Sequence, residues 1–501
     1  MPYVKLVSDH IGDRMPARAR CDKVVGLLLV LLATTGGLAR PQDAEAARIA
    51  RVESGLLPRA VPKGQTGQRA SIVERMTYHA IPGMSVAVIE DGRIAWAGAY
   101  GVRDRDTKSP VTSETLFQAA SLSKPVSALG AVALVQNHQL DLDGDLRQWL
   151  RSWNPGQSIT LRQLLSHSAG LTESGFAGYV PGAPLPTTAQ ILNGEKPANN
   201  EAVRMAGQPG AAVTYSGGGY VVVQQVISEV AQSPFDQYMR RSVFSPLRMT
   251  QSSFEQPLPA DRARVAASGY RRDGSKLEGN WMIQPELAAA GLWTTPSDLA
   301  QVIIELQDAL AGRPSRLLTQ AAAREILTAR VSNAGLGVFL AGPNGASRRF
   351  MHSGRNAGFD AMLVAYKNGR QGAVVMINRN NNGRFIDEVL ESVAREYRWP
   401  DYITWTSQLE YEPVPPAVQS TYAGRYDAAG RPSLVVVFED QKLFARSGED
   451  AWFRLYPASE TEFFAIDDST RWTFEKSRDG TVTEVVVKSS GNELRRRRVP
   501  Q

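Results

Sequence analysis

Leu116-Phe117-Gln118-Ala119-Ala120-Ser121-Leu122-Ser123-Lys124-Pro125 leads into an apolar helical stretch that continues to Gln136. Ser121 and Lys124 are three residues apart, so on a helix they share a face and can touch. A serine at a helix start sits among unpaired backbone N–H groups, where the helix dipole favours negative charge. Its hydroxyl is a poor nucleophile unless a base removes the proton. A buried lysine, with its pKa lowered from roughly 10.4, can be that base. The four letters alone decide little. About one S-x-x-K is expected by chance in a chain this long, and an N-cap serine beside a solvated lysine reads the same.

Two distant segments add weight. Val213-Thr214-Tyr215-Ser216-Gly217-Gly218-Gly219-Tyr220 sets a tyrosine before glycines that open a long apolar helix, and Phe350-Met351-His352-Ser353-Gly354-Arg355-Asn356 ends an expected strand with His-Ser-Gly. Other chemistries lose their signatures. There is no G-x-S-x-G elbow, no G-x-x-x-x-G-K-[ST] and no G-x-G-x-x-G, and none of the five histidines forms an H-E-x-x-H pair. A metal hydrolase and a nucleotide-binding enzyme are therefore disfavoured, and no cofactor or metal is expected.

With these residues in view, the sequence resembles the penicillin-recognising serine hydrolases. The likeness is to the class C β-lactamase-like group, which includes D-aminopeptidases, D-Ala-D-Ala carboxypeptidases, 6-aminohexanoate-dimer hydrolases and β-lactamase-fold esterases. Ile159 to Leu171 (ITLRQLLSHSAGL) is similar to that group's T-L-x-x-L-L-x-H-x-S-G-L segment, and Ala290 to Leu299 (AGLWTTPSDL) to its G-G-L-x-S-T-x-x-D-L segment. The resemblance implies that Ser121 attacks the scissile carbonyl, with Lys124 and Tyr215 as general base and acid. It also implies an oxyanion hole from the backbone N–H groups of Ser121 and Arg355. His352 and Ser353 take the place of K-T-G, beside Gly354. Two departures matter. Gly217 stands where the lactamases carry an asparagine amide, and His352 replaces a permanent cation, for which Arg355 is a candidate substitute. Both lower the expectation of efficient β-lactam hydrolysis and leave ester or peptide-like amide hydrolysis open. The alternatives are a β-lactamase or D-Ala-D-Ala carboxypeptidase, and a non-catalytic ligand-binding relative. His167 reads as scaffold, the loop Gly175 to Thr188 as a cleft lining, and Trp293 and Tyr220 as either cleft wall or core.

Outward from these motifs, the chain divides. Val24 to Ala33 (VVGLLLVLLA) follows Arg14, Arg18, Arg20 and Lys23 and precedes small residues, the order of a secretory signal ending near residue 39. At ten residues it is too short to span a bilayer. The single cysteine, Cys21, would leave with it, which removes disulfides and thiolate chemistry. The expected location is periplasmic or secreted, in a bacterium. Residues 40–66 read as a linker and 67–398 as the hydrolase domain. There a hairpin at Met84–Asp104, helices through the middle and strands near 335–377 predict an α+β fold, an antiparallel sheet flanked by helices with a mostly helical lobe. Thr295-Pro296-Ser297-Asp298 marks a helix start. Residues 399–417 read as a second linker. Residues 418–501 alternate short β-rich runs with turns and predict a small all-β barrel or sandwich, similar to the lipocalin-like barrel appended to some of these hydrolases.

The 501 residues carry 43% hydrophobic and 21% charged side chains, near globular averages, so global disorder is excluded. Net charge is +6, of which residues 1–39 supply +2, without a long basic stripe. Nucleic acid is not an expected partner. The expected partner is a small ester, peptide or cell-wall-type substrate, with no membrane span once a signal is removed.

Overall fold

A computed structural model describes residues 41–500, apart from 59, 65, 382, 403–406, 449–451, 466–469 and 490–491. The expected signal and Cys21 lie outside the described residues. Residues 1–45 and 46–501 form separate units. Of the first, only 41–45 are described, and they are helical.

A seven-stranded sheet is built from early and late segments. Its strands are β1 (Gly83–Glu90), β2 (Arg93–Asp104), β3 (Ser109–Pro110), β4 (Phe339–Ala341), β5 (Arg349–Asn356), β6 (Phe359–Tyr366) and β7 (Gly372–Ile377), in the order β3-β2-β1-β7-β6-β5-β4. Every pairing in it is antiparallel. The β1–β2 hairpin turns at Asp91 and Gly92, both at positive φ (52° and 69°), the geometry that Asp-Gly favours.

Side chains alternate across this sheet to feed two cores. Val86, Val88, Val375 and Ile377 face the helix α4 (Arg384–Glu396) and the helices that carry Val52 and Met76. Ala87, Ile89, Val374 and Met376 face the helical lobe. That lobe contains α1 (Ser123–Gln136), α2 (Gly217–Ala231) and α3 (Pro296–Leu310). The cap expected for α3 is present, with Thr295 Oγ1 accepting from the Asp298 backbone N–H at 3.2 Å.

The C-terminal strands, from Gly424 to Arg498, close into an eight-stranded barrel rather than a sandwich. Aromatic rings fill it, with Tyr422 stacked on Phe474 at 4.6 Å. The stretches read as linkers hold structure. Pro41–Glu53 is a helix, and Ala60–Pro62 pairs in parallel with Ser407–Leu409, tying the two stretches together. Among the described residues, no helix is long and apolar enough to cross a membrane.

Candidate active site

The segment Ala119–Lys124 makes a tight turn before it becomes α1. Ala120, Ser121 and Leu122 form a single 3₁₀ turn, and Ala120 takes a positive φ of 50°. That conformation costs a residue with a Cβ about 1 kcal/mol or more. Ser121 is thereby left partly exposed at the head of a helix whose next residues are buried. Lys124 is one turn further on and 2% exposed. Its Nζ donates to Ser121 Oγ at 2.9 Å and to the Ala289 carbonyl at 2.7 Å. Burial lowers its pKa to about 7.

Tyr215 reaches the same point from the residue pair that precedes α2. Ser216 caps that helix, its Oγ accepting from the Gly219 N–H at 2.9 Å, which fixes the backbone of its neighbour. Burial pushes the Tyr215 phenol up to about 12, against a smaller lowering by the neighbouring Ser121 hydroxyl. The Lys124 ammonium lies 5.0 Å from the Tyr215 ring centroid.

The third wall is β5. Strand β4 pairs only with Arg349–Met351, so His352–Asn356 present a free edge to the nucleophile turn. A Cβ at Gly354 would overlap the Ala119 carbonyl oxygen, which explains the glycine in His-Ser-Gly. Asn356 Nδ2 donates to Gln118 Oε1 at 2.8 Å and to the Ala290 carbonyl at 3.2 Å, tying the strand, the turn and the Ala289 floor together. His352 is 3% exposed, and its Nδ1 lies 2.7 Å from the Ser353 carbonyl oxygen. A carbonyl only accepts, so Nδ1 carries the proton and Nε2 keeps its lone pair. Burial, then the nearby Lys124, lower its pKa to about 3, and the ring is neutral at any ordinary pH.

The structure therefore brings Ser121, Lys124, Tyr215, His352 and Gly354 together. Ser353 and Arg355 point to the exposed face of β5. The Arg355 side chain is 57% exposed and donates through Nε to the buried Asp360 at 3.2 Å. Gly217 is filled from outside: a Cβ there would stand 3.0 Å from the Phe176 ring and 3.3 Å from the Ser174 carbonyl.

His167 belongs to the support. Its Nδ1 accepts from the Ser216 N–H at 3.1 Å, and its ring lies 4.3 Å from that of Tyr215. Trp293 and Tyr220 are fully buried, and Tyr220 donates to the Leu165 carbonyl at 2.9 Å, so both are core. Sequence reasoning missed the Ala289 carbonyl and the buried pair Gln284 and Glu286, while Phe176 lies in the loop read as a cleft lining. No local pattern marks a backbone oxygen or the burial of a polar side chain.

The Beta-lactamase family model matches residues 69–394, about two thirds of the chain. The chain belongs to the Beta-lactamase family. Among its relatives in that family is Penicillin-binding protein 4* of Bacillus subtilis (strain 168), 23% identical over 82% of this chain and 93% of the relative. Two solved structures share the fold. The octameric penicillin-binding protein homologue from Pyrococcus abyssi matches at a TM-score of 0.55 and 20% identity, covering 85% of this chain and 98% of its own. The D-amino acid amidase from Ochrobactrum anthropi SV3, in complex with L-phenylalanine amide, matches at a TM-score of 0.54 and 21% identity, covering 65% and 97%. Membership of the Beta-lactamase family makes the chain a serine hydrolase of that fold, with a penicillin-binding protein among its relatives.

Proposed function

We propose that the chain is an exported hydrolase that cleaves an ester or peptide-like amide through an acyl-enzyme on Ser121. The contact between Lys124 Nζ and Ser121 Oγ at 2.9 Å, made by a buried lysine, carries this reading. In the neutral amine one N–H stays on the Ala289 carbonyl, and the lone pair takes the serine proton as Oγ adds to the substrate carbonyl. The developing oxyanion is held by the backbone N–H groups of Ser121 and Arg355. The proton passes through the Tyr215 phenol to the leaving group. Water then attacks the acyl-enzyme, with the same groups returning the proton to Oγ. His352, neutral and with a free Nε2 lone pair, offers an acceptor on the far side of Tyr215.

Gly217, closed over by Phe176, offers no side-chain amide to an acylamido group, which favours ester and simple amide substrates over β-lactams. The apolar run at residues 24–33 supports export to the periplasm or beyond. Hydrolysis of p-nitrophenyl acetate by the purified protein tests the reading. The rate is expected to fall at least a thousandfold in Ser121→Ala, and survival of the rate refutes the mechanism.

A further inference from the structure

We propose that Glu286 and Gln284 form a recognition site for the free ammonium group of an aminoacyl substrate, so that the enzyme favours N-unblocked amino-acid esters, amides or peptides. This inference rests on the hydrolase reading above.

Both side chains are 0% exposed, and among the described residues neither oxygen of Glu286 nor either polar atom of Gln284 has a partner. Leaving such groups unpaired costs several kcal/mol for a charge and about 1–3 kcal/mol for an amide. Other buried acids of this chain are matched. Glu388 is held by Arg75 and His79, Glu305 by three backbone N–H groups, and Asp298 by Ser252 and the Gln251 N–H. Glu286 stands apart from them.

Its position places it beside the chemistry. The segment carrying it is pinned by the catalytic framework: the Pro285 carbonyl accepts from Gln224 of α2 at 3.3 Å, Ala288 from Ser127 at 3.2 Å and Ala289 from Lys124 at 2.7 Å. The loop from Gly175 covers the other side. Tyr179 and Ile283 exchange backbone hydrogen bonds at 2.8 and 2.7 Å, and Gly178 is so close to Gln284 that a Cβ would overlap the amide nitrogen. Three residues before Tyr179, the half-buried Phe176 ring rests on Gly217, two residues after Tyr215. The unpaired acceptors are thus enclosed between the base-holding floor and the loop that reaches the catalytic tyrosine.

Gln284 and Glu286 flank Pro285 in the short segment that leads into the helical turn Leu287–Ala290, and both are enclosed there. A buried carboxylate and an amide oxygen from one short segment suit an ammonium group, which has three donors and the positive charge this site lacks. An N-acyl group or a hydroxyl brings no such charge. Burial raises the Glu286 carboxyl to about 7, and an adjacent ammonium would draw it back to the ionised form.

Competitive inhibition of p-nitrophenyl acetate hydrolysis tests this, using phenylalaninamide and N-acetylphenylalaninamide, each as both enantiomers. The wild-type enzyme is expected to bind at least one free amine tenfold or more tightly than its acetylated counterpart. In the near-isosteric Glu286→Gln that ratio should fall to within twofold, and in Gln284→Met it should fall about threefold. A ratio near one in the wild type, or a ratio that survives Glu286→Gln, overturns the proposal. Should Glu286→Gln fail to fold, the wild-type ratio and Gln284→Met decide. Ester hydrolysis that persists in Ser121→Ala would instead refute the acyl-enzyme on Ser121, so the two failures are distinct.

Discussion

Lys124 holds its Nζ 2.9 Å from Ser121 Oγ while donating to the Ala289 carbonyl at 2.7 Å, so the lysine is aimed at the serine by a backbone oxygen rather than by a carboxylate. Among the described residues no counter-ion offsets its burial there, and its pKa falls to about 7. Lys124 is the base only when neutral. For an uncharged ester, kcat/KM should therefore rise with pH along a single limb with its midpoint near 7 and level off above it. His352, already neutral, should add no limb between pH 5 and 9. A profile flat from pH 5.5 to 8.5 would contradict this assignment.

The same burial acts on stability. The folded-state pKa of Lys124 is depressed below its unfolded value, so the unfolded chain binds more protons between about pH 7 and 10.5, and stability rises with pH across that window. Lys124→Met should abolish hydrolysis yet raise stability at pH 7 by up to about 4 kcal/mol, since the lysine pKa falls from 10.5 to about 7 and each pH unit is worth ~1.4 kcal/mol. Urea unfolding at pH 7 and 9.5 checks both points. The wild type should gain stability between them by more than the variant.

Gly354 meets the Ala119 carbonyl without room for a Cβ. Gly354→Ala should push β5 away from the nucleophile turn, lowering kcat/KM about 100-fold and stability by about 2 kcal/mol. Kinetics and thermal unfolding of the one variant measure both.

Phe176 fills the space at Gly217. Gly217→Asn alone should destabilise the fold by about 1–3 kcal/mol through overpacking, and Phe176→Ala should recover a good part of that loss in the double variant. Simple additivity of the two changes would show that the ring and the glycine are not in contact.

How far the sequence was legible follows from where each piece of information resides. The Ser121–Lys124 pair could be read directly because its geometry is local, two residues three apart across the turn that opens α1. Tyr215 and His352 lie 94 and 231 residues beyond Ser121, and only the family resemblance joined them to it, because their convergence is a property of the tertiary fold. The α3 cap and the Asp91-Gly92 turn were legible for the same local reason. Pro41–Glu53 was misread as linker although Pro at its first position and its alanines are helix signals, since Ala-rich, charged composition suits both states. Gln284 and Glu286 look like loop polarity in the sequence, and only the packing of α2 and the Phe176 loop around them makes them buried.

The central claim is that Ser121 is the acylated atom. Treatment with a fluorophosphonate, followed by mass analysis of the peptides, should find a single adduct on Ser121 that is absent from Ser121→Ala and strongly reduced in Lys124→Met. An adduct on another residue, or unchanged labelling of Ser121→Ala, would contradict the account.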